Sequence, residues 1–223
     1  MTTSRVGIER AVAGLPADEV FDVVDAALSL LRGTEARSYK QWYTAARDLE
    51  HILTEGGSEY RVADDLGSLE QRVDGTVREA VIVAQHSAHT AKAGSAADHL
   101  KEAWQAAYGR DPQPAVAYSQ SIKAVESAAH GVLEPNNAKA TLGTMIGTLR
   151  GAPNKFQTAI EGPNGGEPTA VLGMLQLLWQ GQTSRHGGQT PTRPETQEAA
   201  EMAVHLAATL VQWFTAGAVV RRS

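Results

Sequence analysis

The sequence contains no cysteine. This absence excludes a disulfide-stabilised scaffold and any metal site built on thiolates, and it fits a reducing compartment. The first residues, MTTSRVGIERAVAGL, lack an apolar core of signal-peptide length, so we expect a cytoplasmic protein. Alternating runs of β-branched and aromatic residues are nearly absent, and strands are therefore not expected to dominate the fold.

Neither half of the chain has a strong excess of positive charge. Residues 1–109 carry 11 basic and 17 acidic side chains, a net charge of −6, and residues 110–223 carry 9 and 8, a net charge of +1. A general nucleic-acid binder needs a broad basic surface, which this sequence does not provide. Any contact with RNA or a nucleotide is therefore expected to be local.

Several well-known site motifs are missing. There is no phosphate-binding loop of the GxxxxGK[ST] type, no GxGxxG after a strand and no GxSxG. His86 and His89 stand three residues apart on a helical pattern, but no third ligand lies at a fixed spacing from them. A solvated helix face is therefore favoured over a metal site, and we expect neither a metal nor a cofactor.

What the sequence has in abundance is helical periodicity, which predicts an all-α protein. Apolar residues recur at spacings of three and four along most of the 223 residues. One stripe ends at Gly56-Gly57 and another runs from after Ser58 to about residue 92, which together predict a long antiparallel helical hairpin. The predicted organisation is an acidic helical module over residues 1–95, a helical bundle over residues 96–217 and a tail over residues 218–223.

The segment AVHLAATLVQWFTAGAVV, near the end of the sequence, is apolar enough to be compared with a membrane span. It contains His205 and Gln212, and its bulky residues favour one face of a helix. We interpret it as part of a buried core helix running from about Pro194 to Gly217, with Met202 facing inward. No membrane partner is expected.

The stretch QTSRHGGQ, residues 182–189, is the main site candidate. Arg185 offers a planar, permanently charged fork for a phosphate, and His186 titrates near neutrality. The helix that follows directs its N-terminal amides towards this turn, which favours an anion. The alternative interpretation is a polar turn in which Arg185 and His186 bind the carbonyl groups that end the preceding helix.

A second polar feature lies on a helix near the middle of the chain. Lys123, Glu126 and His130 stand at positions i, i+3 and i+7, in a stripe beside the apolar face. One interpretation places this stripe opposite the QTSRHGGQ turn, where Glu126 orients His186 or Arg185. The other interpretation is a solvated face of ion pairs.

The stretch between about Leu100 and Phe214 resembles the C-terminal helical domain of abortive-infection proteins, a HEPN-like fold. Its most specific element is the glycine-flanked His186 between two long helices, and the helix that carries Lys123 and Glu126 supports it. The segments that carry the resemblance are AYSQSIKAVESAAHGVLEP (117–135), ATLGTMIGTLRG (140–151), VLGMLQLLWQGQTSRHGG (171–188) and EAAEMAVHLAATLVQWF (198–214).

The resemblance implies an all-helical domain that forms a homodimer. In active members of the family, paired sites cut RNA without a metal: a ribose 2′-hydroxyl attacks the phosphate, a histidine moves protons and an arginine steadies the charge. His186 takes the histidine position and Arg185 supplies the charge. The family places its arginine four to six residues before the histidine, where this chain has Gln180, Gly181 and Gln182. Gln180 and Gln182 are then supporting hydrogen-bond donors.

Two functions are therefore expected as alternatives. The first is a prokaryotic abortive-infection or toxin-type defence protein, acting as a metal-independent endoribonuclease or as an RNA or nucleotide binder through Arg185 and His186. The second is a non-catalytic helical interaction or dimerisation module with a degenerate site, in which QTSRHGGQ is a structural turn.

Overall fold

The computed structural model describes residues 12–32, 36–161, 166–182 and 192–222. The described residues are 67% helical and contain only short strands, which confirms the all-α prediction. The chain forms two compact units. The N-terminal unit contains the residues up to Arg72 together with Tyr108–Asp111, and the C-terminal unit contains Val73–Ala107 and the residues from Pro112 onwards.

The N-terminal unit combines two helices with a small β-hairpin. Helices α1 (Ala17–Arg32) and α2 (Ala36–Glu55) precede strands β1 (Tyr60–Val62) and β2 (Leu69–Gln71), which pair antiparallel. Helix α2 ends where the sequence predicts, because Gly57 has a left-handed φ of 64° that few other residues adopt readily. The two helices and the hairpin share one apolar core of Leu28, Ala46, Leu53, Tyr60, Val62 and Leu69.

The helix predicted from after Ser58 to about residue 92 is wrong, because its first part is this hairpin. The turn between the strands is fixed locally: the Asp65 carboxylate accepts a 3.1 Å hydrogen bond from the Gly67 N–H, and Leu66 has a left-handed φ of 57°. Helix α3 then begins at Gly75, because the Asp74 side chain caps it by accepting from the Thr76 N–H. The second arm of the predicted helical hairpin is therefore only α3, and it belongs to the C-terminal unit.

The C-terminal unit is a helical bundle around two long helices. Helix α5 packs along α8, and α3 packs against the same helix. Both faces of the α5–α8 contact carry fully or almost fully buried alanines, including Ala117, Ala124, Ala203 and Ala207, and small side chains allow two helices to approach closely. The helices are α3 (Gly75–Thr90), α4 (Ala96–Tyr108), α5 (Pro114–Leu133), α6 (Leu142–Gly151), α7 (Thr169–Gly181) and α8 (Gln197–Thr215).

Helix α8 is shorter than predicted and faces the core differently. It begins at Gln197 because the Thr196 side chain accepts a 3.2 Å hydrogen bond from the Ala199 N–H. Met202, predicted to face inward, is 66% exposed, and the alanine-rich face is buried instead. No helix in the described part of the chain is long and apolar enough to cross a membrane.

The last described residues form a strand. Strand β4 (Val219–Arg221) lies within the predicted tail and pairs antiparallel with β3 (Phe156–Thr158), which follows a short 3₁₀ turn at Pro153–Lys155. The Arg221 guanidinium also donates a 3.1 Å hydrogen bond to the Leu133 carbonyl at the end of α5. The strand therefore covers the end of the central helix.

Candidate functional site

Four of the six predicted site residues lie in the described part of the chain. Arg185 and His186 fall within residues 183–191, outside the described residues. Gln180 is exposed in the last turn of α7, and Gln182 is the half-buried residue directly after that helix. The remaining two predicted residues, Lys123 and Glu126, lie on α5 and are brought together by the fold.

Lys123 and Glu126 line a cleft of about 730 Å³ within the C-terminal unit, here called the α5 cleft. Its volume falls within the range of small-molecule binding sites. Gln180 and Gln182 are not among the residues that line it. The polar lining residues are Lys92 and Ser95 from the α3–α4 connection, His99 from α4, Lys123, Glu126, Ser127 and His130 from α5, and Thr215 from α8.

The α3–α4 connection places Lys92 at the cleft through an unusual backbone. Helix α3 ends with two reversed hydrogen bonds, from the Lys92 N–H to the His89 carbonyl and from the Ala93 N–H to the Ala88 carbonyl. This Schellman ending requires a left-handed residue, usually glycine, but here Lys92 adopts it with a φ of 53°. A lysine in this conformation costs roughly 1–2 kcal/mol, which glycine would avoid.

The Glu126 carboxylate holds the start of α6. Its Oε1 accepts a 2.6 Å hydrogen bond from the backbone N–H of Leu142, the first residue of that helix. Burial raises the pKa of Glu126, against the opposing effects of this hydrogen bond and of the charges of His99 and Lys123. One oxygen of the Glu126 carboxylate therefore binds a backbone amide of the next helix.

Each of the two histidines of the cleft is held in place by a hydrogen bond of one ring nitrogen. The Nδ1 of His99 lies 2.8 Å from the side-chain oxygen of Gln120, and the Nε2 of His130 lies 3.0 Å from the backbone carbonyl of Asn137. Because both acceptors are carbonyl oxygens, each of these nitrogens donates, and the other nitrogen of each neutral ring has a lone pair. His99 could not be predicted from spacing, since it reaches the cleft from a different helix.

The charge of the cleft suits a small anion. Neither lysine ammonium has a hydrogen-bond or ion-pair partner among the described residues. With the imidazoles counted as neutral, Lys92 and Lys123 against Glu126 give the lining a formal charge of +1. The Ser95 and Ser127 hydroxyls line the same cleft, and their oxygens are 3.2 Å apart. Cations with adjacent hydroxyls are groups that bind phosphate oxygens.

Metal chemistry has little support from the residues that the structure describes. No group of three or more histidine and carboxylate side chains in the described ranges is arranged to hold a metal ion. His86 and His89 lie on α3 without such a group around them.

A second cavity, here called the α3–α8 groove, is mostly apolar. It has a volume of about 920 Å³ and is lined by Val77, Val81 and Val83 of α3 and by Ala208 and Trp213 of α8, among others. His205 lies at its edge, where burial lowers the pKa of the imidazole against the opposing charge of Glu201. The valine, alanine and tryptophan side chains of this groove offer apolar surface for packing.

Comparison with known proteins assigns no function to either cavity. No protein-family model matches the chain, and neither a curated protein nor a solved structure matches it.

Proposed function

We propose that the C-terminal unit binds a phosphorylated ligand, a ribonucleotide that is either free or part of an RNA chain, in the α5 cleft. The observation that carries this proposal is the pair of lysines, Lys92 and Lys123, that line one cleft from two separate elements and have no hydrogen-bond or ion-pair partner among the described residues. Lys92 does so from a left-handed backbone position that glycine would occupy at lower cost.

The dimensions of the cleft favour a nucleotide over a lone phosphate ion. Its polar groups extend along α5 from the level of Gln120, which holds His99, to His130. Ten residues of α-helix correspond to about 15 Å. A single phosphate would contact only one part of such a site, whereas a nucleotide or a short piece of RNA can contact all of it. The local charge also agrees with the absence of a broad basic surface in the sequence.

Binding is tested by fluorescence anisotropy with a labelled single-stranded RNA of about ten nucleotides at low ionic strength. Competition by unlabelled ribonucleoside monophosphates distinguishes a free nucleotide from an RNA chain as the ligand. We expect Lys123→Ala to weaken binding about tenfold and Lys101→Ala, on the exposed face of α4, to leave it unchanged.

The Lys92→Gly variant distinguishes an effect on ligand binding from an effect on folding. Glycine relieves the left-handed strain, so this variant should be at least as stable as the wild-type protein and should still bind about tenfold more weakly. Wild-type protein that binds neither RNA nor nucleotide, or lysine variants that bind as well as wild type, would overturn the proposal.

The resemblance to abortive-infection proteins supports a catalytic form of this function. In that form the bound RNA is cut without a metal, with His186 as the proton carrier and Arg185 stabilising the charge, in a homodimeric defence protein. Two measurements test this form: RNA cleavage in buffer containing a chelator, and growth arrest on expression. Both should be lost in a folded His186→Ala variant. Intact RNA after incubation with the wild-type protein would leave binding as the function.

The α3–α8 groove supports a second candidate function, a helical interaction module that forms a homodimer. Its apolar lining is the surface that a second copy of the chain could cover, and Val83 on its rim is 43% exposed. Light scattering after size exclusion should then give the mass of a dimer for the wild-type protein and of a monomer for Val83→Glu. Leu177→Glu, at a 61% exposed position on α7, is the matched control and should remain dimeric.

A further inference from the structure

We infer that the α5 cleft selects a ribose over a deoxyribose, and that His99 Nε2 and Glu126 Oε2 accept hydrogen bonds from the ribose hydroxyls. This inference rests on the proposed binding of a phosphorylated ligand and adds the groups that recognise its sugar. Lys92 and Lys123 account for a phosphate, and the side chains that carry these two acceptors line the same cleft.

The tautomer of His99 is set by Gln120. The Gln120 side chain is almost fully buried, at 8% exposure, and its oxygen lies 2.8 Å from His99 Nδ1. An amide oxygen can only accept, so Nδ1 carries the proton and Nε2 carries the lone pair. Gln120 does not line the cleft and His99 does. The Nδ1 edge of the ring is therefore occupied, and the acceptor edge is the one available to a ligand.

Glu126 supplies the second acceptor. Its Oε1 is occupied by the Leu142 N–H, and its Oε2 has no hydrogen-bond partner among the described residues. Because Leu142 starts α6, this contact also holds the carboxylate in one orientation. Carboxylates accept hydrogen bonds from ribose hydroxyls in dinucleotide-binding folds.

The two acceptors belong to one local group with a cation. His99, Lys123 and Glu126 all line this cleft, and Lys123 and Glu126 lie three residues apart on α5, on neighbouring positions of one helix face. Lys123 is exposed at the cleft, where it can contact a phosphate while the acceptors contact the attached sugar. A sugar without the 2′-hydroxyl would leave one of the acceptors without a donor, which costs binding free energy.

The experiment compares RNA with DNA of the same base sequence, using deoxyuridine in place of thymidine so that only the sugar differs. We expect the full-length wild-type protein to bind the RNA about tenfold more tightly. His99→Phe should remove this preference by weakening RNA binding and leaving DNA binding unchanged. His86→Phe, at an exposed position on α3 outside the cleft lining, is the matched control and should retain the preference.

A second measurement tests the tautomer without a ligand. Nitrogen-15 NMR of the histidine side chains should show His99 protonated at Nδ1, and Gln120→Leu should shift the proton towards Nε2 and reduce the preference for RNA. Protonation of wild-type His99 at Nε2 would overturn the inference.

The binding outcomes separate this inference from the proposed function. Equal binding of RNA and DNA by the wild-type protein, or a preference that survives His99→Phe, would overturn the ribose assignment and leave phosphate binding in place. No binding of either nucleic acid would overturn both.

Discussion

The Glu126 carboxylate on α5 accepts a 2.6 Å hydrogen bond from the backbone N–H of Leu142, the first residue of α6. One side chain therefore lines the α5 cleft and satisfies an amide that the helix itself cannot pair. The negative charge also lies at the positive end of the α6 dipole. This carboxylate therefore connects the cleft to the start of α6. Its contribution can be measured as a change in the free energy of unfolding.

Glu126→Ala should reduce the free energy of unfolding by about 1–2 kcal/mol, because it removes the acceptor at the start of α6. Glu126→Gln should cost less, since its amide oxygen can still accept. Urea unfolding followed by circular dichroism measures both. Glu102→Ala, at an exposed position on α4, serves as the control and should change the stability very little.

The contribution of Glu126 to stability should depend on pH in a defined direction. Burial raises its pKa in the folded chain, so the folded state keeps the proton to higher pH than the unfolded state does. The wild-type protein should therefore lose stability relative to Glu126→Gln as the pH rises through the folded pKa. Unfolding titrations of both proteins between about pH 4 and pH 8 would contradict this if the stability of the wild-type protein relative to Glu126→Gln stayed constant or increased with pH.

The helices were predictable because their signals are local. Periodic apolar residues and the glycines after α2 are enough to place a helix and its end. Gly143 in α6 allows a close helix contact, because a Cβ added there would lie 2.8 Å from the Trp179 ring. Such constraints act within a segment or on its immediate neighbour, so the sequence carries them directly.

The β-hairpin was not predictable because its stabilising contacts are distant in sequence. Val62, Leu66 and Leu69 fit helical spacing as well as they fit two short strands. Two carboxylates decide between these alternatives. Asp25 of α1 accepts a 2.6 Å hydrogen bond from the Leu69 N–H, and Glu50 of α2 accepts a 2.7 Å bond from the Val62 N–H. Each helix therefore pairs a strand amide that would otherwise be buried without a partner.

Asp25→Ala and Glu50→Ala should each reduce the stability of the N-terminal unit by about 1–3 kcal/mol, because each leaves a buried amide unpaired. Asp25→Asn should retain most of the stability, since its oxygen still accepts. Hydrogen exchange of the Val62 and Leu69 amides measures the local effect. Full protection of Leu69 in Asp25→Ala would contradict this role, and Asp48→Ala, exposed on α2, is the control.

Arg110 joins three partners in the N-terminal unit. Its guanidinium donates to the Asp22 carboxylate at 2.8 Å, to the Tyr60 hydroxyl at 2.8 Å and to the Asp18 carbonyl at 3.0 Å. Asp22 is 64% exposed, so its ion pair contributes little, whereas Tyr60 is buried and its hydroxyl needs a partner.

Arg110→Ala should therefore reduce the stability by about 1–2 kcal/mol, and Asp22→Asn by less than about 0.5 kcal/mol. Arg110→Lys should resemble the alanine variant, because one ammonium cannot reproduce the planar fork. Urea unfolding of the four proteins checks this order. A larger effect for Asp22→Asn than for Arg110→Ala would show that the ion pair dominates.

The candidate site was predictable only in part, for the same physical reason as the fold. The stripe of Lys123, Glu126 and His130 follows from helical spacing on one element, and all three side chains line the cleft. Lys92 and His99 come from other elements and reach the cleft only through tertiary packing. Neither the left-handed Lys92 nor the Gln120 contact of His99 has a signature in the order of residues.

The end of α7 is fixed by a close approach between Gly181 and Tyr118. A Cβ added at Gly181 would clash with the hydroxyl oxygen of Tyr118, which is buried on α5. Gly181→Ala should therefore destabilise the C-terminal unit by about 1–3 kcal/mol, despite the better helix propensity of alanine.

Gly173→Ala on the same helix is the matched control, because nothing lies within 4 Å of its added Cβ. It should stabilise the protein by up to about 1 kcal/mol. Tyr118→Phe combined with Gly181→Ala should recover part of the loss, since it removes the clashing oxygen and leaves the ring carbon 3.1 Å from the new methyl group. Thermal unfolding of the wild-type protein and the three variants would contradict this account if the two single alanine substitutions had the same effect.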